Sequence, residues 1–178
     1  MSISFETYQR VALEDPEGKW ELECGRLRAK PLTTVRHGRT TRRLLAMLVR
    51  QLDWREWSIG GTRLRVSSET CYVPDLTVLP ESLVTTLDDD QFEVYAQPVP
   101  LVVEVWSPST GEYDVDTKFP EYRLRGDLEI WRLHPYERTL TIWRRQPDGT
   151  YREELLHGGT VRPVALPGVS INLDELFA

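Results

Sequence analysis

Residues 100–108, PLVVEVWSP, form an apolar run that is interrupted by a single glutamate, Glu104. A run of this length that ends at a serine–proline pair is typical of a strand buried on both faces, so we predict that it lies at the centre of a sheet. An ionised carboxylate in such a strand is costly to bury unless a cation or a hydrogen-bond donor lies beside it. Glu104 is therefore the first candidate for a functional residue.

Helix and strand patterns alternate on both sides of this strand. Apolar periodicity and turn residues predict helices over about residues 4–14, 34–52 and 116–125. They also predict a hairpin in 20–32 and strands in 57–68, 70–79, 128–135, 139–146, 150–157 and 164–177. This order indicates an α/β fold, with a central mixed sheet flanked by helices and additional C-terminal strands. A length of 178 residues is typical of one domain, so residues 1–178 are predicted to share a single core.

A second carboxylate, Asp75, follows a proline in the apolar strand pattern VPDLTVL, residues 73–79. Two carboxylates directed at one point are the ligands that a hard divalent cation such as Mg²⁺ or Mn²⁺ requires. Lys118 lies further along the chain and has two interpretations. It either neutralises the carboxylates and polarises a water and a phosphate oxygen, or it belongs to an internal ion pair or a solvated helix face. The pattern thus predicts a metal site built on Asp75 and Glu104.

The overall charge argues against a protein that coats nucleic acid with its whole surface, because the net charge is −6 and the pI is near 5.2. One local basic segment, residues 36–50, could contact DNA phosphates. The candidate contacts in it are Arg36, His37, Arg39 and Arg43. The same side chains also fit the solvated face of an amphipathic helix. The sequence contains no apolar run of the length of a secretory signal or membrane span, so we expect a cytoplasmic protein without membrane contact.

These segments together resemble the Uma family of candidate restriction endonucleases. The resemblance is carried by VPDLTVL, PLVVEVWSPST, the D-x-x-x-K spacing from Asp114 to Lys118, and EIW with RLHP further on. It extends from WELECGRL, residues 20–27, to LPGVSINLDELF, residues 166–177, and so covers nearly the whole chain. The family belongs to the PD-(D/E)XK superfamily, so the resemblance implies a restriction endonuclease-like fold and a nuclease activity.

The resemblance also implies roles for individual residues. Asp75 and Glu104 match the metal-binding carboxylates of the family. Glu21 matches a further glutamate that either binds the metal or positions a water. A tryptophan stands two residues after Glu104, where E-x-K has its lysine, so the implied catalytic lysine is Lys118. Pro120 disfavours a regular helix around Lys118 and leaves its reach to Glu104 open.

The sequence therefore predicts a metal-dependent endonuclease that hydrolyses DNA phosphodiester bonds with Mg²⁺ or Mn²⁺ as cofactor. Two other hypotheses stay open, namely a non-catalytic nucleic-acid-binding or interaction module on the same fold and a hydrolase of another phosphate substrate. A basic cleft formed by Arg36, Arg39 and Arg43 beside the two carboxylates would favour nucleic acid, and the lack of such a cleft would favour the two other hypotheses. A homodimer is expected, because nucleases that cut duplexes often present two sites and twofold symmetry is the commonest oligomeric arrangement.

Overall fold

The described residues form three β-sheets, two larger ones and one of two strands. A computed structural model describes residues 2–88, 90–109 and 113–178. The helices are α1 (Phe5–Glu14), α2 (Val35–Val49), α3 (Glu81–Val84), α4 (Phe119–Arg125) and α5 (Leu173–Leu176). The first seven strands are β1 (Trp20–Glu23), β2 (Arg26–Ala29), β3 (Trp57–Gly60), β4 (Arg63–Arg65), β5 (Cys71–Tyr72), β6 (Leu76–Pro80) and β7 (Val94–Tyr95). The remaining strands are β8 (Leu101–Val105), β9 (Glu129–His134), β10 (Thr139–Arg145), β11 (Tyr151–Leu156), β12 (Thr160–Val161) and β13 (Ile171–Asn172).

Both larger sheets are mixed. Within the described residues, one sheet has six strands in the order β11-β10-β9-β8-β6-β3 and the other has five in the order β2-β1-β5-β4-β7. Strand β8 pairs in parallel with β9 and antiparallel with β6, and all five of its residues are buried. The prediction that PLVVEVWSP forms a central strand is confirmed, and the α/β fold class with helices flanking a mixed sheet is confirmed with it.

Helices cover both faces of the six-stranded sheet. On one face, Leu44 of α2 and the leucines of α5 pack in a core with Val103 of β8. On the other face, Tyr122 of α4 packs in a second core with Val102. Because successive side chains of a strand point to opposite faces, Glu104 lies on the same face as Val102. The central glutamate is therefore directed toward α4.

The chain leaves the six-stranded sheet after β3 and returns to it at β6. Strands β3 and β6 belong to the six-stranded sheet, whereas β4 and β5 between them belong to the five-stranded sheet. The prediction of one unbroken strand in each of 57–68 and 70–79 is therefore wrong. Gly60 and Gly61 weaken the first strand, and Pro74 cannot donate a ladder hydrogen bond in the second. The return crossing places Asp75 at the junction of the sheets.

The predicted hairpin and the first helices are confirmed. Strands β1 and β2 pair antiparallel, and Cys24 and Gly25 form the turn between them at φ values of 47° and 73°. Positive φ at both central residues is the geometry that joins two strands by a two-residue turn. Helix α1 begins after Ser4, whose hydroxyl accepts a hydrogen bond from the Thr7 amide. This is the N-cap that a serine before an apolar periodic segment predicts.

The segments 116–125 and 164–177 depart in part from prediction. The first is helical, but it opens with a π-helical turn over Asp114–Lys118 before α4. The second was predicted as a strand, and within it Ile171–Asn172 forms a strand while Leu173–Leu176 is helical. The side chain of Asn172 accepts hydrogen bonds from two amides of α5 and so starts the helix.

No helix in the described part of the chain has both the length and the apolar character needed to cross a membrane.

Candidate active site

Asp75 and Glu104 lie opposite each other where β6 pairs with β8. The register joins Leu76 to Val103, which brings the residue before Leu76 beside the residue after Val103. The backbone amide of Val105 donates a hydrogen bond to Oδ2 of Asp75 at 2.7 Å. The pairing of β6 with β8 therefore holds the two carboxylates at one end of the strand pair.

Lys30, which the sequence analysis did not select, lies between the two carboxylates. Its Nζ atom donates to the carbonyl oxygen of Val73 at 2.7 Å and to Oδ1 of Asp75 at 2.8 Å. Oε2 of Glu104 lies 3.8 Å from the same nitrogen. Three oxygens thus surround one ammonium group. The requirement of Glu104 for a cation predicted such a partner, but the sequence offered no local reason to choose Lys30 among the basic residues.

The inner side of Glu104 is held by α4 and the turn before it. Nζ of Lys118 lies 3.1 Å from Oε1 of Glu104, and the hydroxyl of Tyr122 donates to the same oxygen at 2.8 Å. Lys118 also contacts Glu21 at 2.8 Å and Asp114 at 3.5 Å. The structure therefore brings Lys118 to the predicted site. It adds Tyr122 as a partner of Glu104 that spacing alone did not identify.

Glu21 occupies a supporting position on strand β1. Its Oε1 atom accepts a hydrogen bond from the amide of Val73 at 2.9 Å, besides its contact with Lys118. Val73 is the residue whose carbonyl binds Lys30. Glu21 thus connects the backbone before Asp75 to Lys118.

Burial and neighbouring charge shift the pKa values of the two carboxyls in opposite directions. Burial raises the pKa of Glu104 to about 8, even though Lys118 and Lys30 act to lower it. Burial also acts to raise the pKa of Asp75, but the Lys30 ammonium and His37 outweigh it and hold that pKa below the usual value. The charged form is therefore favoured at Asp75 and the protonated form at Glu104.

The two lysines stay protonated for the converse reason. Burial alone would lower the pKa of Lys118, but the carboxylates of Glu104, Glu21 and Asp114 raise it well above its usual value. For Lys30, burial is likewise outweighed by Asp75 and Glu104, which raise its pKa. Both ammonium groups therefore counter the carboxylates across the neutral pH range.

His37 is buried against Asp75. Its ring Nε2 lies 2.9 Å from Oδ2 of Asp75, and its backbone amide donates to the hydroxyl of Thr34, the N-cap of α2. The side chain was predicted among the DNA contacts, and its exposed fraction is 5%. The structure therefore separates His37 from the exposed arginines of the same helix and places it in contact with a site carboxylate.

The arginines selected from the sequence line a different cleft. Arg36, Arg39 and Arg43 border a cleft of about 290 Å³ together with Arg138. Arg43 donates to the backbone carbonyls of Leu176 and Ala178, so it also anchors the C-terminal helix. These three arginines do not line the cleft beside Asp75, which faces another side of α2, so this criterion from the sequence favours the two other hypotheses.

The cleft that opens on Asp75 has a volume of about 710 Å³. Its border includes His37, an apolar rim and six charged side chains. These six are Lys19, Lys30, Arg42, Arg63, Glu17 and Asp75. Four of them are basic, so the cleft is locally positive although the chain is acidic overall. Arg42 belongs to the basic segment singled out from the sequence, whereas Arg63 and Lys30 are basic residues of this cleft that the sequence did not indicate.

The oxygens around Lys30 are of the chemical type that binds a divalent metal. Within residues 2–88, 90–109 and 113–178, no group of three or more His, Cys, Asp or Glu side chains is arranged to hold a metal ion. The two carboxylates and the Val73 carbonyl nevertheless form an oxygen set, and Oε2 of Glu104 is buried without a hydrogen-bond partner in these ranges. Mg²⁺ is commonly held by one or two carboxylates, with waters and substrate phosphates completing its shell. The ligand types of this set fit Mg²⁺ or Mn²⁺, and the Lys30 ammonium lies between them.

The mixed sheet with a buried carboxylate pair and a lysine at one end defines a restriction endonuclease-like fold. The chain belongs to the Uma2 family, described as "Putative restriction endonuclease", whose match covers residues 5–174. The resemblance stated from the sequence motifs is therefore confirmed.

A solved structure supports the same fold. The chain is similar to the crystal structure of "a putative nuclease belonging to DUF820" from Anabaena variabilis, with a TM-score of 0.74 and 17% sequence identity over 90% of each chain. At this identity the similarity establishes the fold. A comparison with proteins of curated function found no significant match.

Proposed function

We propose that this protein is a metal-dependent endonuclease of the PD-(D/E)XK type that hydrolyses DNA phosphodiester bonds. One observation carries the proposal: Asp75 and Glu104 converge on a single cation position at the edge of a basic cleft. The two carboxylates come from separate segments of the chain, so only the fold brings them together. The family to which the chain belongs supports the same activity.

Asp75 and Glu104, with the Val73 carbonyl, would hold Mg²⁺ or Mn²⁺. When bound, the ion lowers the pKa of a water ligand and offsets negative charge on the phosphate. The Val105 amide and His37 fix the orientation of Asp75, and Tyr122 fixes that of Glu104. Such fixed ligands reduce the reorganisation that the site needs during reaction.

Lys118 is proposed to act beside Glu104. Its ammonium group lies 3.1 Å from one oxygen of that carboxylate and is held on its other side by Glu21. In this position it orients Glu104 and adds positive charge next to a water or leaving oxygen at the site. The proposed role of Glu21 is to position Lys118 and the Val73 backbone.

Arg42 and Arg63 are proposed to bind the phosphates that flank the cleaved bond. Both border the cleft that reaches Asp75, and the guanidinium fork matches the geometry of phosphate oxygens. Arg36, Arg39 and Arg43 border a second basic cleft and are proposed as more distant DNA contacts. The two clefts lie on different sides of α2, so a DNA duplex that contacts both would run across this helix.

A plasmid assay tests the proposal. Supercoiled DNA incubated with Mg²⁺ or Mn²⁺ should be nicked or linearised by the parent protein, and EDTA should stop the reaction. Asp75→Asn should lose the activity, because it keeps the side-chain shape and removes the charge. Glu137→Gln is the matched control, since its carboxylate is exposed and outside both clefts. A parent protein that leaves plasmid intact with both metals would contradict the proposal.

A non-catalytic nucleic-acid-binding module is the second candidate. It is favoured by the Lys30 ammonium, which lies where the cation would bind. Such a protein would bind DNA through the basic cleft without a metal requirement. Equal affinity for a DNA fragment in EDTA and in Mg²⁺, without nicking of plasmid, would support this candidate.

We propose a homodimer as the working assembly. Strand β11 is an outer strand of the six-stranded sheet, and its Leu155 is 51% exposed. An open strand edge with an exposed apolar side chain is a surface to which a second copy can pair. Sedimentation velocity on the parent protein and on Leu155→Lys tests this, because the charge should shift a dimer toward monomer.

We also propose that the protein acts in the cytoplasm. Cys24 and Cys71 are both free thiols, and Cys24 is exposed. Free exposed thiols suit a compartment that is kept reducing. Fractionation of cells that express the chain at natural levels tests this placement.

A further inference from the structure

Lys30 occupies the centre of the oxygen set that would bind the metal. Its Nζ lies 2.7 Å from the Val73 carbonyl, 2.8 Å from Asp75 and 3.8 Å from Glu104. The side chain is 8% exposed, so its charge is poorly hydrated and relies on these oxygens. An ammonium group and a divalent cation cannot share this position, because both their volumes and their charges exclude each other.

The surroundings of Lys30 also give its ammonium group a second place to go. The residue directly follows β2, and its side chain borders the cleft of about 710 Å³. The ammonium group of a lysine is carried by a flexible four-carbon stem, so it can turn outward while the backbone stays in place. In the cleft it would join Arg42 and Arg63 near a substrate phosphate. Lys118 has no such exit, since its side chain is 2% exposed and contacts three carboxylates.

We propose that Lys30 is a built-in competitor of the metal, which closes the site by binding Asp75 and Glu104 and is displaced into the cleft when a divalent cation enters. This inference rests on the proposed metal-dependent function and adds a regulation of the same site. In the metal-free protein the ammonium group donates a hydrogen bond to Asp75 and lies 3.8 Å from Glu104. The observed affinity for metal is then the balance between the ion and Lys30.

Calorimetric titration with Mn²⁺ alone tests the competition. Lys30→Met removes the competing charge and vacates the position, so Mn²⁺ should bind on the order of tenfold to a hundredfold more tightly than to the parent. Lys19→Met removes the same charge from the same cleft at a residue outside the oxygen set, and it should change the affinity by less than about threefold. An equal gain in Mn²⁺ affinity in both variants would mean that the general electrostatic field of the cleft causes the effect, and the inference would be overturned.

The remaining outcomes separate the inference from the proposed function. A parent that binds Mn²⁺ and a Lys30→Met variant with the same affinity overturn the inference and leave the metal site standing. Absence of Mn²⁺ binding in both proteins overturns the two together. Lys30→Gln serves where Lys30→Met does not fold, because its amide can still donate to the Val73 carbonyl; the same gain in affinity is expected.

A labelling experiment on the parent protein needs no variant. Acetic anhydride acetylates exposed neutral amines, and mass spectrometry gives the rate at each lysine. Displacement by Mn²⁺ should speed acetylation of Lys30 severalfold, while Lys19 in the same cleft and buried Lys118 keep their rates. An unchanged rate at Lys30 under saturating Mn²⁺ would show that the side chain stays in place, and the inference would be wrong.

Discussion

Lys118 contacts Glu104 at 3.1 Å although Pro120 follows it by two residues. The π-helical turn over Asp114–Lys118 ends at Lys118, and Pro120 falls in the first turn of α4. Proline has no backbone amide to donate, and the turn before it is π-helical, with the Phe119 amide donating to the carbonyl of Asp114. Lys118 is buried at the end of this turn. The reach of this lysine, which the sequence left open, is thus achieved by a local change of helix type.

Glu104→Gln should weaken Mn²⁺ binding and abolish plasmid cleavage together. The substitution preserves shape, but a neutral amide is a poor ligand for a hard cation. Calorimetry and plasmid nicking on the same preparation measure both effects. Asp148→Asn is the control, because that side chain caps a surface turn. Full cleavage by Glu104→Gln would exclude Glu104 from the metal site.

Lys118→Met should separate cleavage from metal binding. An ammonium group is not a metal ligand, so Mn²⁺ affinity should hold or rise as like-charge repulsion is relieved. Cleavage should fall by roughly 10²- to 10³-fold, the usual effect of losing one electrostatic stabiliser. Cleavage at the parent rate would remove Lys118 from the reaction.

The same variant should lower the stability of the metal-free protein. Glu21 and Asp114 lose a buried cation and Glu104 loses a hydrogen-bond partner, and breaking a buried ion pair costs about 3–5 kcal/mol. Urea unfolding in EDTA measures this loss. Lys19→Met, which removes a charge from the rim of the cleft, should change the free energy of unfolding by less than about 1 kcal/mol.

The raised pKa of Glu104 predicts how stability depends on pH in the absence of metal. Burial raises this pKa from its usual 4.5 to about 8, so between these values the folded protein holds a proton that the unfolded chain has lost. The free energy of unfolding contributed by this group therefore falls as pH rises through that window. Urea unfolding in EDTA at intervals across it should show the decline. Glu104→Gln, which cannot titrate, should flatten the curve; an equally steep decline in that variant would assign it to another group.

Arg42→Gln and Arg39→Gln form a matched pair for DNA binding. Both residues are exposed on α2, but Arg42 borders the cleft that reaches Asp75 and Arg39 borders the second cleft. The slope of log K against log salt should lose about 0.9 for each phosphate contact removed on duplex DNA. We expect this loss for Arg42→Gln. A loss for Arg39→Gln alone would place the DNA over the second cleft.

The sequence by itself determined the fold class and the principal carboxylates. A short continuous apolar run such as the one around Glu104 is typical of a strand covered on both faces. The central position of β8 therefore followed from this sequence pattern alone. The hairpin turn at Cys24–Gly25 could likewise be predicted from the neighbouring residues alone. The burial of Glu104 also demanded a cation, because a lone carboxylate is too costly in such a strand.

The tertiary structure decided which residues meet that demand. Lys30 and Asp75 are 45 positions apart, and His37 and Asp75 are 38 apart, so no local spacing links them. The return of the chain from one sheet to the other at Val73–Asp75 created the contacts. The side of α2 that faces the site was likewise set by packing of Leu44 and Leu48 on the sheet, which turned Arg42 toward Asp75 and Arg39 away. Periodicity defines the faces of a helix, but only its packing partner determines which polar residues border the site.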